Sequence, residues 1–216
     1  DKYNAGKLDS GRIFSPDDVC SLYHTGGTTG TPKLAMRMHM NEMFSAVMCA
    51  VGLDMTRGTT MMFGLPLFHA NAPLLTGLAP FSVGASVVML SPIGYRDPGV
   101  IKNFFKIVER YRVNSFMTVP TVLSMLLDVP IAGADLSSLR YAMCGAAPLS
   151  VQVFREFEKR TGLKLLEGYG LTEGTVVSSN NPRDGERKVG SVGLRIPYQE
   201  MKTVILLPGA RYTHPD

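Results

Sequence analysis

Short apolar runs with strand character alternate along this chain with segments of helical period, and that alternation limits the fold more than any other feature. Residues 60–63, 86–90, 115–119, 139–143 and 163–166 each read as buried strands. Helices fit between them, the first over residues 41–53. Asp97 can cap another, with Pro98 at its first position and Val100, Ile101, Phe104, Phe105 and Val108 as one apolar stripe. Residues 120–127 form a short apolar helix, and Ser150 can cap a last one that buries Val153, Phe154 and Phe157 and ends near Gly162. Strand–helix alternation predicts an α/β fold, a largely parallel sheet flanked by helices. Ligands of such sheets gather beyond the strand C-termini. The segments 145–150 and 168–173 both follow predicted strands and so can meet at one edge.

Residues 23–33, Tyr-His-Thr-Gly-Gly-Thr-Thr-Gly-Thr-Pro-Lys, supply chemistry for such an edge. Gly26, Gly27 and Gly30 let the backbone turn tightly and bring its N–H groups near a ligand, and successive N–H groups make an anion-binding concavity. Thr25, Thr28 and Thr29 add hydroxyls, and Lys33 adds a positive charge. This is not the G-x-x-x-x-G-K-[ST] loop that opens a helix, because Thr31 and Pro32 separate Gly30 from the lysine and Leu34 stands where a magnesium-binding hydroxyl belongs. Residues 20–23 before the loop and Leu34, Met36 and Met38 after it have strand period, so the loop joins two strands and suits a polyphosphate. An ordinary Gly/Thr hairpin has the same composition.

The stretch from Thr25 to Lys33 resembles the phosphate-binding signature of the adenylate-forming superfamily, which includes acyl-CoA synthetases, luciferases and the adenylation domains of peptide synthetases. Gly168-Tyr169-Gly170-Leu171-Thr172-Glu173 resembles its Tyr-Gly-x-Thr-Glu motif. Weaker matches are Pro66-Leu67-Phe68-His69, Gly145-Ala146-Ala147-Pro148-Leu149-Ser150 and Val189-Gly190-Ser191-Val192-Gly193, all in the expected order. The Phe-His element and the Gly-Ala-Ala-Pro-Leu form are most similar to the acyl-CoA synthetase branch. Leu34 departs from the family's usual glycine after the lysine. The family's later ribose-binding aspartate, hinge and small C-terminal domain with its lysine have no counterpart in residues 1–216. The resemblance therefore implies one partial domain, an internal portion of the large domain, that does not complete the reaction by itself.

The resemblance further implies attack of a carboxylate on the α-phosphate of ATP, giving an acyl-adenylate, and then transfer to coenzyme A. In that reading Lys33, Thr172 and Glu173 are catalytic, with Glu173 holding Mg²⁺. Thr25, Gly26, Gly27, Thr28, Thr29, Gly30 and Lys33 grip phosphates, while Gly145, Ala146, Ala147, Gly168, Tyr169, Gly170 and Thr172 hold the nucleotide. His69, Gly145 and Gly170 border the acid, taken as fatty or aromatic. Local pattern alone offers plainer roles: Thr172 as a helix cap with Glu173 in its first turn, Tyr169 as core, His69 as a satisfied core histidine. Two other functions stay open, an amino-acid-activating adenylation domain and a non-catalytic nucleotide-binding or interaction module.

Composition narrows the remaining classes. The chain has 216 residues, 45% hydrophobic and 19% charged, enough for one sizeable core. Its net charge of +4 is dispersed, and the one basic cluster, Arg183, Arg187 and Lys188, is interleaved with Asp184 and Glu186, which reads as a solvated turn and not a nucleic-acid patch. Cys20, Cys49 and Cys144 lack metal-ligand spacing and fit reduced thiols in a cytoplasmic setting. Residues 58–95 carry no Asp, Glu, Lys or Arg, but prolines and glycines break that run, so a buried core is expected and not a transmembrane segment. Met61, Met62, Met89, Met117, Met125 and Met143 are expected in that core, and a sheet cut off mid-domain can self-associate into an oligomer through an apolar edge.

Overall fold

The computed structural model describes residues 10–25, 33–207 and 211–213. It opens with an antiparallel hairpin, β1 (Val19–His24) and β2 (Leu34–Met38), followed by α1 (His39–Gly52). Next come β3 (Thr60–Phe63) and a continuous helical stretch of α2 (Asn71–Pro73), a π turn (Leu74–Leu78) and α3 (Ala79–Ser82). β4 (Ser86–Met89), a 3₁₀ turn (Gly94–Arg96), α4 (Pro98–Lys102), α5 (Phe104–Tyr111), β5 (Ser115–Thr118) and α6 (Pro120–Leu127) follow. β6 (Tyr141–Cys144), α7 (Val151–Thr161), β7 (Lys164–Tyr169), a 3₁₀ turn (Thr172–Gly174), β8 (Ser179–Asn180) and β9 (Leu194–Arg195) complete the main body. β10 (Ile205–Leu207) and β11 (Arg211–Thr213) form a separate antiparallel pair.

Seven strands form one sheet in the order β4-β3-β5-β6-β7-β8-β9. The first five are parallel to their neighbours, and β8 and β9 add antiparallel pairs at one side. The expected largely parallel sheet is present. The chain leaves β3 for β4 on one side and then returns to β5 on the other, so the strand order reverses between β3 and β5. A crevice outside the carboxyl ends is the usual consequence.

Alternation along the strands sends successive side chains to opposite faces, and helices cover both. Met62, Phe116, Ala142 and Leu165 join Phe104, Phe105, Leu123, Leu126, Phe154 and Phe157 in one core cluster. Their strand neighbours Met61, Met117, Tyr141, Met143 and Leu166 join Ala46, Cys49, Leu74 and Leu75 in the other. The uncharged run over 58–95 is therefore two strands and a helical stretch, not a membrane span, and among the described residues no helix is long and apolar enough to cross a membrane.

Several expectations need correction. The helix from Asp97 is two helices, because the chain breaks at Asn103 (φ −104°, ψ 13°), whose side-chain amide donates to the Gly99 carbonyl at 2.9 Å. Asp97 does cap the first, accepting from the Gly99 N–H at 2.8 Å. Ser150 occupies the cap position of α7 without a side-chain hydrogen bond. Met89 and Met125 are 64% and 44% exposed, so they are not core. Leu34 and Met36 are likewise exposed, and it is Arg37 that faces inward from β2 at 2% exposure. Arg183 and Arg187 pair with Asp54, Asp184 and Glu158, so the basic cluster is largely neutralised.

Burial governs the thiols. It pushes Cys49 and Cys144 up to about 12, and Cys20 is raised more modestly, again chiefly by burial. At pH 8 a thiol of that kind is ~10⁻⁴ thiolate, and only the thiolate alkylates. Iodoacetamide at pH 8 is expected to label Cys20 alone, and slowly, in the folded protein, and Cys49 and Cys144 only after unfolding. Mass spectrometry of the labelled peptides reads this, and native labelling of Cys144 at the rate of Cys20 would contradict the packing.

Candidate active site

In a parallel sheet the segments that leave adjacent strands at their carboxyl ends are brought side by side. Here those segments follow β3, β5, β6 and β7, and they line two adjoining cavities. The first, about 170 Å³, is bounded by His69, Ala70, Asn71, Gly145, Ala146 and the stretch from Gly168 to Thr172, with Met117, Met143, Val176 and Val177 as its floor. The second, about 480 Å³, is mostly apolar, with Leu65, Pro66, Phe68, Ile93, Val119, Val122 and Met125 in its wall. His69, Asn71 and Ala146 border both.

Of the residues singled out in the sequence, His69, Gly145, Ala146, Gly168, Tyr169, Gly170 and Thr172 thus come together. Tyr169 is 46% exposed and lines the cavity, so it is a wall residue and not core. Thr172 opens a 3₁₀ turn without capping it through its side chain. Ala147 and Glu173 adjoin lining residues in sequence but are exposed and do not line the cavity themselves. Gly26, Gly27, Thr28, Thr29 and Gly30 lie outside the described residues. Thr25 and Lys33 close the end of the hairpin, the Thr25 N–H donating to the Lys33 carbonyl at 2.9 Å, and Lys33 does not line the cavity either.

The turn after β7 has an unusual backbone. Thr175 and Val176 have φ of 58° and 80°, the second a rare value for a β-branched residue. Strain of this kind persists only where the surroundings over-determine it. Those surroundings are specific: the Val176 N–H donates to the Leu171 carbonyl at 3.0 Å, the Ser178 N–H to the Tyr169 carbonyl at 2.9 Å, and Ser45 Oγ on α1 to the Thr175 carbonyl at 2.9 Å.

Around His69 the electrostatics favour the neutral ring. Partial burial, then the nearby positive charge of His24 and Arg37, hold its pKa below the ordinary value of 6.5. Its Nδ1 accepts from the Asn71 N–H at 3.4 Å, which leaves Nε2 as the donor of the neutral ring. Asn71 Oδ1 is buried without a hydrogen-bond partner among the described residues, an acceptor in the wall that two cavities share. No cluster of three or more His, Cys, Asp or Glu able to hold a metal ion is present among the described residues. A single carboxylate such as Glu173 nevertheless suits Mg²⁺, which is held by one or two carboxylates with substrate phosphates and water completing its shell.

Arg37, Ser45 and Asn71 are missing from the sequence-based set. Arg37 carried a signal, a lone charge within the apolar strand Leu34–Met38. Ser45 and Asn71 carried none, since one is an ordinary helix serine and the other an ordinary helix start.

A mostly parallel α/β sheet with a small-residue cavity and an apolar one at its carboxyl edge defines the class, an α/β protein that binds its ligand beyond the strand ends. The chain belongs to the AMP-binding enzyme family, which it matches over residues 2–206. It is 40% identical over 195 residues to the marinolic acid–CoA ligase of Pseudoalteromonas sp. (strain SANK 73390), covering 88% of this chain and 30% of that one. It is 36% identical over 191 residues to the long-chain-fatty-acid–CoA ligase of Bacillus subtilis (strain 168), covering 86% and 33%. Among solved structures, the anthranilate CoA ligase AuaEII in complex with anthranoyl-AMP superimposes with a TM-score of 0.80 at 25% identity, over 92% of this chain and 37% of that one. The ATP-bound RpMatB-BxBclM chimera B3 gives 0.79 at 28% identity, over 92% and 38%. The chain thus spans about a third of the length of the proteins it matches.

Proposed function

We propose that the protein activates a carboxylic acid with ATP and passes the acyl group to coenzyme A. The observation that carries this reading is the convergence of His69, Gly145, Ala146 and the Gly168–Thr172 stretch on one cavity that opens onto a larger apolar one. A planar base would lie in the cavity against the backbone of residues 145–146 and 168–170, with Tyr169 as wall. The apolar cavity takes the body of the acid, and its volume of about 480 Å³ and its lining suit an alkyl or aryl chain. The fatty-acid and anthranilate ligases among the similar proteins fit that choice.

In the reaction a carboxylate oxygen attacks the α-phosphorus, and the bond from that phosphorus to the pyrophosphate oxygen breaks. Two anions meet, so donors are needed where charge builds up. The Thr172 hydroxyl serves the α-phosphate, and Lys33 with the Gly/Thr loop serves the β- and γ-phosphates. Glu173 would hold Mg²⁺, which would supply positive charge against the phosphates. Neutral His69, with Nε2 as donor, and the Asn71 side-chain amide stand between the two cavities, where the carboxylate must lie to reach the phosphorus. The cysteine pattern supports a reduced, cytoplasmic setting.

The test is a thioester assay on the full-length protein with ATP, Mg²⁺, coenzyme A and a panel of alkyl and aryl acids. An acyl-CoA with stoichiometric AMP is expected. Transfer to a carrier-protein thiol with an amino acid, and none to coenzyme A, would favour the amino-acid-activating alternative.

A further inference from the structure

Arg37 is buried to 2% exposure, yet its burial is poorly compensated. Its Nη2 donates to the Thr172 carbonyl at 3.0 Å, and its Nη1 lies 3.6 Å from Glu42 Oε1. The guanidinium stacks over the Tyr23 ring, 4.5 Å from the centroid. Nε and Nη1 have no hydrogen-bond partner among the described residues. Taking a guanidinium out of water is costly, and one hydrogen bond with one loose ion pair does not offset that well. Packing does not require the arrangement either, because Leu34 and Met36 on the same strand are left 58% and 72% exposed while the charge points in.

What the arrangement does achieve is a link. β2 continues from Lys33 at the base of the Gly/Thr loop, and Thr172 and Glu173 begin the turn after β7. Arg37 joins the two across a sequence separation of 135 residues. Ser45, also 2% exposed, holds the Thr175 carbonyl at the other end of the same turn. Glu42, 3.6 Å from the guanidinium, itself accepts from Ser21 Oγ on β1, so residues of both hairpin strands meet here.

We propose that Arg37 is a positioning residue that fixes the Thr172–Glu173 turn against the β1–β2 hairpin, at the distance from Lys33 that a nucleotide triphosphate requires. This rests on the proposed adenylation. Thr172 and Glu173 act on one end of the triphosphate and Lys33 on the other, so a change in their separation weakens ATP use before it weakens acid use.

The experiment compares Arg37→Leu, Arg37→Lys and Ser45→Ala in the full-length protein, measuring KM for MgATP, KM for the acid, kcat and the thermal midpoint. Arg37→Leu is expected to raise KM for MgATP about tenfold or more with KM for the acid changed less than twofold. Arg37→Lys, which can still donate to the Thr172 carbonyl, recovers most of that rise, and Ser45→Ala shifts the same constant in the same direction by less. If Arg37→Leu does not fold, the other two variants carry the test. A KM for MgATP within twofold of wild type in every folded variant overturns the proposal. So does a loss spread equally over both substrates that follows the thermal midpoint and is not eased by lysine. An inactive wild-type protein would instead overturn the functional reading on which the proposal rests.

Discussion

Gly170→Ala is expected to abolish ATP use and to lower stability by about 3 kcal/mol or more. A Cβ at this position would lie 1.4 Å from the Val176 carbonyl oxygen, 2.5 Å from the Val176 carbonyl carbon and 2.9 Å from Val177 Cα. All three are backbone atoms, so no side chain can swing aside to make room. The turn they belong to is already strained at Thr175 and Val176 and pinned by Arg37 and Ser45, so relief requires breaking those contacts. Gly52→Ala is the matched control. Gly52 ends α1, nothing lies within 4 Å of its Cβ position, and alanine is favoured in helices, so that variant is expected to be neutral or slightly more stable. Thermal melting of the two variants beside wild type reads the contrast, and a Gly170→Ala protein that melts with wild type and keeps its activity would show that the turn is not packed as described.

Glu173→Gln is expected to reduce Mg²⁺-dependent pyrophosphate exchange by about 100-fold or more with the thermal midpoint unchanged. The carboxylate is exposed, and among the described residues it makes no ion pair, so the fold loses little with its charge. The reaction is expected to lose more, because a neutral amide is a far poorer ligand than a carboxylate for a hard cation. Lys33→Ala is expected to cost less, about tenfold, since it removes one point charge and leaves the proposed Mg²⁺ ligand in place. The discriminating readout is the Mg²⁺ dependence. Glu173→Gln should need a much higher Mg²⁺ concentration for half-maximal rate, and Lys33→Ala should not. Equal Mg²⁺ dependence in the two variants would remove Glu173 from the metal role.

Much of this was legible in the sequence, for identifiable reasons. Apolar runs of four or five residues bounded by turns fixed the parallel strands, because a strand buried on both faces must be apolar throughout. Close packing was legible at the small residues 145–147, where Gly145 lies on the Gly168 carbonyl, but not at Gly168 and Gly170, which pack on the Ser179 carbonyl and on Val176. Illegible features depended on context beyond the local window. The break at Asn103 comes from a side chain that competes for a helix carbonyl, which periodicity does not register. The outward turn of Leu34 and Met36 could not be inferred, since alternation says that residues share a face but not which face is buried. Strand β7 runs on through Tyr169, so part of the Tyr-Gly-x-Thr-Glu segment is sheet and not loop, a consequence of pairing with β8. The contributions of Arg37 and Ser45 arise only when residues more than 120 positions apart meet.

The central claim is that one cavity at the carboxyl edge of the sheet joins an acid to AMP. Its most direct test is ATP–pyrophosphate exchange by the full-length protein, run with and without acid and without coenzyme A. Exchange is expected to require ATP, Mg²⁺ and an alkyl or aryl carboxylic acid together, and to fall to background when the acid is omitted. Exchange that proceeds at full rate without any acid, or ATP consumption that yields ADP and phosphate in place of AMP and pyrophosphate, would contradict the account.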